Sequence, residues 1–360
     1  MKPVFHDLTI TAIDRLGDLA IAVRFAVPEE LRDAYKFTPG QYLTLRTGIE
    51  GHDVRRPYSI CTAPFEEEIG VGIKLVEGGL FSGYALNHFA VGDQIQVMTP
   101  QGRFSYAPDE PAGDLLLLAS GSGITPILSI AHTALTLQPD VTATLVYGNR
   151  TTSSIMFRVA VEDLKDRFMG RLRLIHVLSR EQRDIDLLNG RLDAAKVTAL
   201  ITAGLIAPDR VLGAYLCGPD SMISDCANAL TGAGMPEDKV FFERFTPAGD
   251  GVVLSRPQAQ NTDHQAQTNQ VEVMLDGAMQ QFTIDPVSET VLSAGQRAGL
   301  ELPYSCAAGM CCTCRCKVVE GSVTMDANFS LEPWEIEAGF VLACQARPET
   351  EHLVVDFDAQ

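Results

Sequence analysis

The chain is short of basic residues: 28 Lys and Arg stand against 46 Asp and Glu, for a formal net charge of -18. Phosphate binding needs clustered Lys and Arg, so neither nucleic acid nor an anionic membrane surface is an expected partner. Long hydrophobic runs are missing too. No stretch of about 18 apolar residues occurs, so no membrane-spanning helix is expected. The start, MKPVFHDLTI, has neither the apolar core nor the small-residue cleavage site of a signal peptide. In a chain without an export signal, nine cysteines do not read as a disulfide framework, because cytosolic thiols stay reduced and serve metals or redox chemistry. A soluble, cytoplasmic protein is expected. Internal repeats and long blocks of like charge are also absent.

What is present is enough apolar residue, 46% of 360, for two or three domains with cores of their own. From residue 8 to about 107 the chain reads as short strands broken by turn residues: LTITAIDR, LAIAVRF, QYLTLRT, PYSICT, VGIKLVE and DQIQVMTP. That pattern predicts an antiparallel barrel over 1–108. After Asp114 continuous apolar runs, LLLLAS, TATLVYG, LRLIHVLS, AYLCG and KVFFERF, alternate with helical stretches. They predict the buried parallel strands of a doubly wound α/β domain over 109–246. Residues 247–269, rich in Gln, Asn, Asp, Gly and Pro, read as a linker. Residues 270–360 read as a small α+β domain with a helix around Val291 to Arg297.

That last domain carries Cys306, Cys311, Cys314 and Cys344, the Cys-x4-Cys-x2-Cys…Cys spacing of a plant-type two-iron, two-sulfur (2Fe-2S) cluster. Three thiolates within nine residues force a loop that wraps the metal. In it, Gly309 can take positive φ, and the small Ala307 and Ala308 let backbone N–H groups approach the sulfurs. A zinc site or free structural thiols are the alternative, since Cys311 and Cys314 also form a Cys-x2-Cys pair. Cys312 and Cys316 are surplus and read as small buried residues.

Two signals in the barrel region suggest a flavin. Arg56-Pro57-Tyr58-Ser59 offers a guanidinium for phosphate, an aromatic face for the isoalloxazine and a hydroxyl for a ring nitrogen. Ile73-Lys74, followed by Gly79-Leu80-Phe81-Ser82, is a strand ending in glycine that opens a helix, a diphosphate site or else an ordinary turn capped by Ser82. In the α/β region, strand Leu115 to Ala119 runs into Ser120-Gly121-Ser122-Gly123-Ile124-Thr125-Pro126 and an apolar helix, a phosphate cradle with Pro126 where a third glycine would stand. Ser179-Arg180 ends a later strand and suits the 2′-phosphate of NADPH, or is a turn of solvated charges. Arg150, after TATLVYG, joins them as a cofactor contact. Cys217-Gly218-Pro219 ends another strand, where open α/β sheets bind ligands, though a cysteine there also suits core packing.

In their order along the chain these motifs, with Glu243-x-Phe245, resemble the ferredoxin-NADP+ reductase family, and the tail resembles a plant-type ferredoxin. Flavin, nicotinamide and then C-terminal ferredoxin is the order of reductase components of bacterial oxygenases. The stretch PYSCAAGMCCTCRCKVVEGSVTMDANFSLEPWEIEAGFVLACQARP is similar to the reductase subunits of phenylacetyl-CoA epoxidases, multicomponent di-iron enzymes of phenylacetate breakdown. The resemblance implies FAD in the barrel, NADPH on the parallel sheet and a β-grasp ferredoxin domain. Electrons would run from NADPH through FAD and the cluster to a di-iron oxygenase partner. It also implies catalytic roles for Ser59 near the flavin N5, Cys217 near the nicotinamide and Glu243 near the hydride-transfer site, and it places Phe245 near a flavin-stacking position. FMN in place of FAD, and a Rieske oxygenase in place of a di-iron one, remain open at this stage.

Overall fold

The computed structural model describes residues 4–108, 113–245 and 268–359. They fall into two compact units, the first holding two sheets and the second the C-terminal sheet. The segment expected to be a linker lies almost wholly outside the described residues. At its far end, Asn269 is already the first residue of a strand.

In the first unit, β1 (Phe5–Arg15), β2 (Ala20–Ala26), β3 (Tyr42–Ile49), β4 (His52–Ser59), β5 (Glu68–Lys74) and β6 (Gln94–Met98) form a sheet in the order β4-β3-β6-β1-β2-β5. The sheet curls into a partial barrel. An isolated bridge between Ile60 and Val71, with the Cys61 N–H donating to the Gly70 carbonyl (2.9 Å), ties the chain just beyond β4 to β5 at the opposite edge. Alternation explains the curl: Leu8, Ile10, Val23, Phe25, Leu43, Leu45, Val71 and Ile73 point inward and have almost no exposed surface. The strand expected from Pro57 begins earlier, at His52, and stops at Ser59. Helix α1 (Leu80–His88) follows β5.

The second sheet consists of β7 (Asp114–Ser120), β8 (Thr142–Asn149), β9 (Leu172–Leu178), β10 (Val211–Gly218) and β11 (Val240–Arg244) in the order β11-β10-β7-β8-β9. Every pairing in it is parallel. Helices α2 (Ile124–Leu137) and α3 (Arg158–Arg167) cover one face, and α4 (Ala194–Thr202) and α5 (Asp220–Gly232) the other. The central strand β7 is therefore apolar on both faces: Leu115, Leu117 and Ala119 pack toward α2, Leu116 and Leu118 toward α4 and α5. Chain order reverses between β7 and β10, and such a switch point is where open α/β sheets leave a crevice.

The barrel and this sheet share one core, with Ala20, Ala22, Cys61, Phe104 and Tyr106 packed among residues of α2 and β7. Gly72 of β5 makes that approach possible. A Cβ there would stand 2.7 Å from Thr125 Cγ2 and 2.8 Å from the Phe157 ring. Ser129 of α2 donates to the Thr62 carbonyl at 2.6 Å, a buried bond across the same contact.

The second unit is a mixed sheet of β12 (Asn269–Leu275), β13 (Ala278–Ile284), β14 (Arg315–Glu320), β16 (Phe340–Leu342) and β18 (His352–Asp356), ordered β13-β12-β18-β14-β16. A small ladder pairs β15 (Val323–Met325) with β17 (Ala346–Pro348). Helix α6 (Val291–Arg297), where the sequence predicts it, lies against the sheet in a β-grasp arrangement, started by a Thr290–Ser293 capping box. Short helix α7 (Pro333–Glu337) precedes β16. Among the described residues, no helix is long and apolar enough to cross a membrane.

Candidate functional site

The three residues expected to act on hydride converge, although Ser59 and Glu243 are 184 positions apart. Ser59, at the end of β4 and almost fully buried, donates its hydroxyl to Glu243 Oε2 at 2.7 Å. Glu243 on β11 is the register partner of Cys217 on β10. Burial pushes the Glu243 carboxyl up to about 7, against the opposing pull of the Ser59 hydrogen bond. Cys217 has no exposed surface, and burial followed by the nearby Glu243 pushes its thiol well above the usual range. A carboxyl that titrates near neutrality and holds a serine hydroxyl can keep or release one proton at this spot.

Beside Ser59 on β4, Tyr58 sets its ring 5.7 Å from that of Phe81, tilted by 43°, and Phe81 is buried under α1. Arg56 and Pro57 precede them on the strand, half-buried. At α1 the Ser82 hydroxyl accepts from the Val76 N–H (3.1 Å) and lies 3.4 Å from the Gly79 carbonyl, so it closes the turn. Gly79 is the N-cap and brings no side chain of its own, which leaves the helix start open to an anion. Leu80 is the first helical residue. Ile73, grouped with the cofactor residues from sequence, is fully buried in the barrel core, and its side chain packs there. Its neighbour Lys74 lies close to the glycine turn after β7: Nζ would stand 3.3 Å from a Cβ on Gly121.

The glycine turn joins β7 to α2 through one turn of 3-10 helix, Gly121 to Gly123. A Cβ on Gly123 would stand 2.0 Å from the Cys217 carbonyl oxygen and 2.8 Å from Gly218 N, so only glycine lets the turn rest on the end of β10. Gly121 takes a φ of +56°. The Thr125 hydroxyl donates to the Ser122 carbonyl (3.0 Å), and Pro126 sits in the first turn of α2, where its missing N–H costs nothing. The Tyr147 hydroxyl lies 2.9 Å from the Gly121 carbonyl, an anchor with no signal in the sequence, because a tyrosine inside a buried strand looks like core. Burial and the positive charge of Arg150 both pull the Lys74 ammonium below its usual range. Two cations gathered at a glycine turn suit a diphosphate.

At the ends of β8 and β9 the Ser179 N–H and the Arg180 N–H donate to the carbonyls of Asn149 (3.0 Å) and Arg150 (2.8 Å), which puts Arg180 alongside Arg150. The adjacent acid is engaged elsewhere. Glu181 accepts from the Thr152 N–H (2.7 Å) and the Thr152 hydroxyl (2.6 Å), and these bonds hold its carboxyl below the usual range. Pro219 lies exposed just beyond β10. Phe245, just beyond β11, is half-buried against the shared core.

In the second unit the four cysteines associate two and two. Cys306 interacts with Cys311, and Cys314 with Cys344: within each pair the interaction pulls the thiol of Cys311 or Cys344 below its usual range and pushes that of its partner well above it. Thiols paired in this way fit two metal atoms. The Ala308 and Met310 N–H groups each donate to Cys306 Sγ, and the Cys306 N–H to Cys311 Sγ, all at 3.4 Å, as electron-accepting sulfurs require. Gly309 has φ +75° and Ala307 +52°. Cys316 is fully buried, and Cys312 donates to Ser330 Oγ at 3.0 Å, so neither belongs to the pairs. The residues present fit a 2Fe-2S cluster.

Three family models match the chain in succession: an oxidoreductase FAD-binding domain over 7–106, an oxidoreductase NAD-binding domain over 117–228, and a 2Fe-2S iron-sulfur cluster binding domain over 273–349. At 44% identity the chain is similar to a subunit of the 1,2-phenylacetyl-CoA epoxidase of Escherichia coli (strain K12), over 99% of this chain and 98% of that one. It is 35% identical to the ferredoxin reductase component of 3-ketosteroid-9-alpha-monooxygenase of Rhodococcus rhodochrous, over 97% and 96%. The fold matches that of phthalate dioxygenase reductase, described as a modular structure for electron transfer from pyridine nucleotides to 2Fe-2S, with a TM-score of 0.60 at 22% identity over 98% of each chain. Full-length relatives, three successive domain matches and a thiol set suited to two irons lead to one conclusion: the chain belongs to the family of FAD- and NAD-binding, ferredoxin-fused reductase components of multicomponent oxygenases.

Proposed function

We propose that this reductase draws its electrons from NADPH and delivers them, in the cytoplasm, to the di-iron oxygenase component of a phenylacetyl-CoA epoxidase system. The donor assignment rests on the Thr152–Glu181 contact. With its carboxylate held by the Thr152 N–H and hydroxyl, Glu181 leaves Ser179, Arg180 and Arg150 as the groups available to a 2′-phosphate. The acceptor assignment rests on 44% identity along the whole chain to the epoxidase subunit. Nine cysteines, none of them in a disulfide, support the choice of compartment.

When bound, the flavin supplies the exchange between a two-electron hydride donor and a one-electron cluster. The remaining tasks fall to side chains. Arg56, Pro57, Tyr58 and Ser59, with Gly79, Leu80 and Ser82, hold the flavin. Gly121, Gly123, Thr125 and Pro126 seat the nicotinamide diphosphate, with Lys74 and Arg150 balancing its charge. Gly218 and Pro219 shape the crevice at the end of β10, and Phe245 shields it. Ser59, Cys217 and Glu243 flank the hydride path, with the near-neutral proton on Glu243 relayed through the Ser59 hydroxyl. Cys306, Cys311, Cys314 and Cys344 ligate the cluster. On this reading residues 1–108, 109–246 and 270–360 act as flavin, nicotinamide and ferredoxin domains.

Steady-state reduction assays with both nucleotides test the donor. Arg180→Ala should lower kcat/KM for NADPH about tenfold or more, the worth of one charge-assisted phosphate contact, and leave NADH almost unchanged. A wild-type preference for NADH would refute this assignment. For the acceptor, purified reductase mixed with the di-iron oxygenase subunits should support NADPH-dependent epoxidation of phenylacetyl-CoA. Turnover with a 3-ketosteroid oxygenase alone would transfer the assignment to that system.

A further inference from the structure

Glu335 of α7 has no exposed surface, and acids almost never bury fully unless paired. Its Oε2 accepts the Glu332 N–H at 3.0 Å in the capping box of α7, and its Oε1 lies 2.9 Å from Arg315 Nε. Nε makes no aligned hydrogen bond, so the attraction is one of charge. The Arg315 guanidinium lies 3.7 Å from the centroid of the Phe340 ring, enclosed between an aromatic face and a carboxylate.

The arginine of this pair begins β14, directly after the cluster loop. Arg315 follows Cys314 directly and is the register partner of Leu342, two residues before Cys344. Between them the Ala343 N–H donates to the Cys314 carbonyl at 3.0 Å. The backbone of Arg315 thus adjoins the strand contact that joins one cysteine pair, and Glu335 places a negative charge against its guanidinium. A cluster that takes up one electron and no proton gains negative charge, and an uncompensated cation nearby would favour that state.

We propose that Glu335, acting through Arg315, is a positioning residue that holds down the reduction potential of the cluster by neutralising the guanidinium of the residue that follows Cys314. It orients and neutralises Arg315. The effect is specific to charge. Removing the carboxylate charge while keeping its shape should make the cluster easier to reduce, and removing both charges should restore the original balance.

The test is a mediated redox titration of the full-length holoprotein at pH 8, followed by electron paramagnetic resonance and the visible spectrum. Glu335→Gln should raise the ratio of reduced to oxidised cluster at a given potential about tenfold, roughly 59 mV for one electron. The double variant Arg315→Gln with Glu335→Gln should return within about twofold of wild type, the difference between the two being one uncovered charge. An unchanged midpoint in Glu335→Gln overturns the proposal, as does a shift that persists in the double variant. Should Glu335→Gln fail to load its cluster, Arg315→Gln alone decides, because the exposed carboxylate should lower the midpoint and an unchanged value overturns the proposal equally. The inference rests on Cys314 and Cys344 as cluster ligands. A Cys344→Ser protein that kept a native cluster would refute that assignment, whereas an intact cluster with an unmoved midpoint would refute the Glu335 role alone.

Discussion

Glu243 and Ser59 make the pH response of the flavin unit a matter of one proton. Burial raises the carboxyl from 4.5 to about 7, so the folded state favours the neutral form. Its contribution to stability is full below about 4.5 and is lost as pH rises through about 7, on the order of 3 kcal/mol. Glu243→Gln should therefore flatten the fall in thermal midpoint between pH 5 and 8, and a wild-type slope in the variant would contradict the assignment. In stopped-flow mixing with NADPH, the same variant should slow flavin reduction about a hundredfold, within the usual range for a lost acid–base group. The cysteines permit a second test. Cys312→Ser should keep full iron and sulfide content, because that thiol faces Ser330, whereas Cys344→Ser should lose the visible spectrum of the cluster.

Between elements, two contacts hold the glycine turn after β7 in place. The Ser129 hydroxyl bonds the Thr62 carbonyl inside the contact between α2 and the barrel. Ser129→Ala leaves that buried carbonyl unpaired and should cost about 1–3 kcal/mol in urea unfolding. The other contact is steric. At Gly123 a methyl group would overlap the Cys217 carbonyl, so the turn and β10 must separate to admit it. Gly123→Ala should lower stability by about 1–3 kcal/mol or more and weaken NADPH binding in equilibrium titration, while the barrel still retains flavin. Normal nucleotide affinity in that variant would show that the turn does not carry the diphosphate.

For the whole molecule, charge is unevenly divided. Residues 271–360 carry 14 Asp and Glu against 4 Lys and Arg, a net of -10 out of -18. An acidic ferredoxin domain steered onto a basic acceptor should transfer electrons more slowly as salt rises, because screening shortens the reach of the field. Rates of oxygenase reduction measured between about 50 mM and 500 mM salt should drop about tenfold or more, and a flat profile would remove electrostatic docking from the account.

Much of this protein could be read without coordinates because its signals are local. Continuous apolar runs such as LLLLAS are what a strand buried on both faces requires, and the cysteine spacing is set by the reach of a loop around metal. Those features determined the order of the domains, the three cofactor classes and the thiol set. Tertiary structure decided what depends on register and closure. Parallel pairing of β10 with β11 sets Cys217 opposite Glu243, and packing of the barrel on α2 brings Ser59 to that carboxyl. Lys74 lies in space close to the glycine turn, while Ile73 turns into the core because successive residues of a strand face opposite ways. Whether an acid such as Glu335 or Glu181 is free, paired or buried has no signature in composition or spacing. It depends on long-range contacts that exist only once the chain has closed on itself.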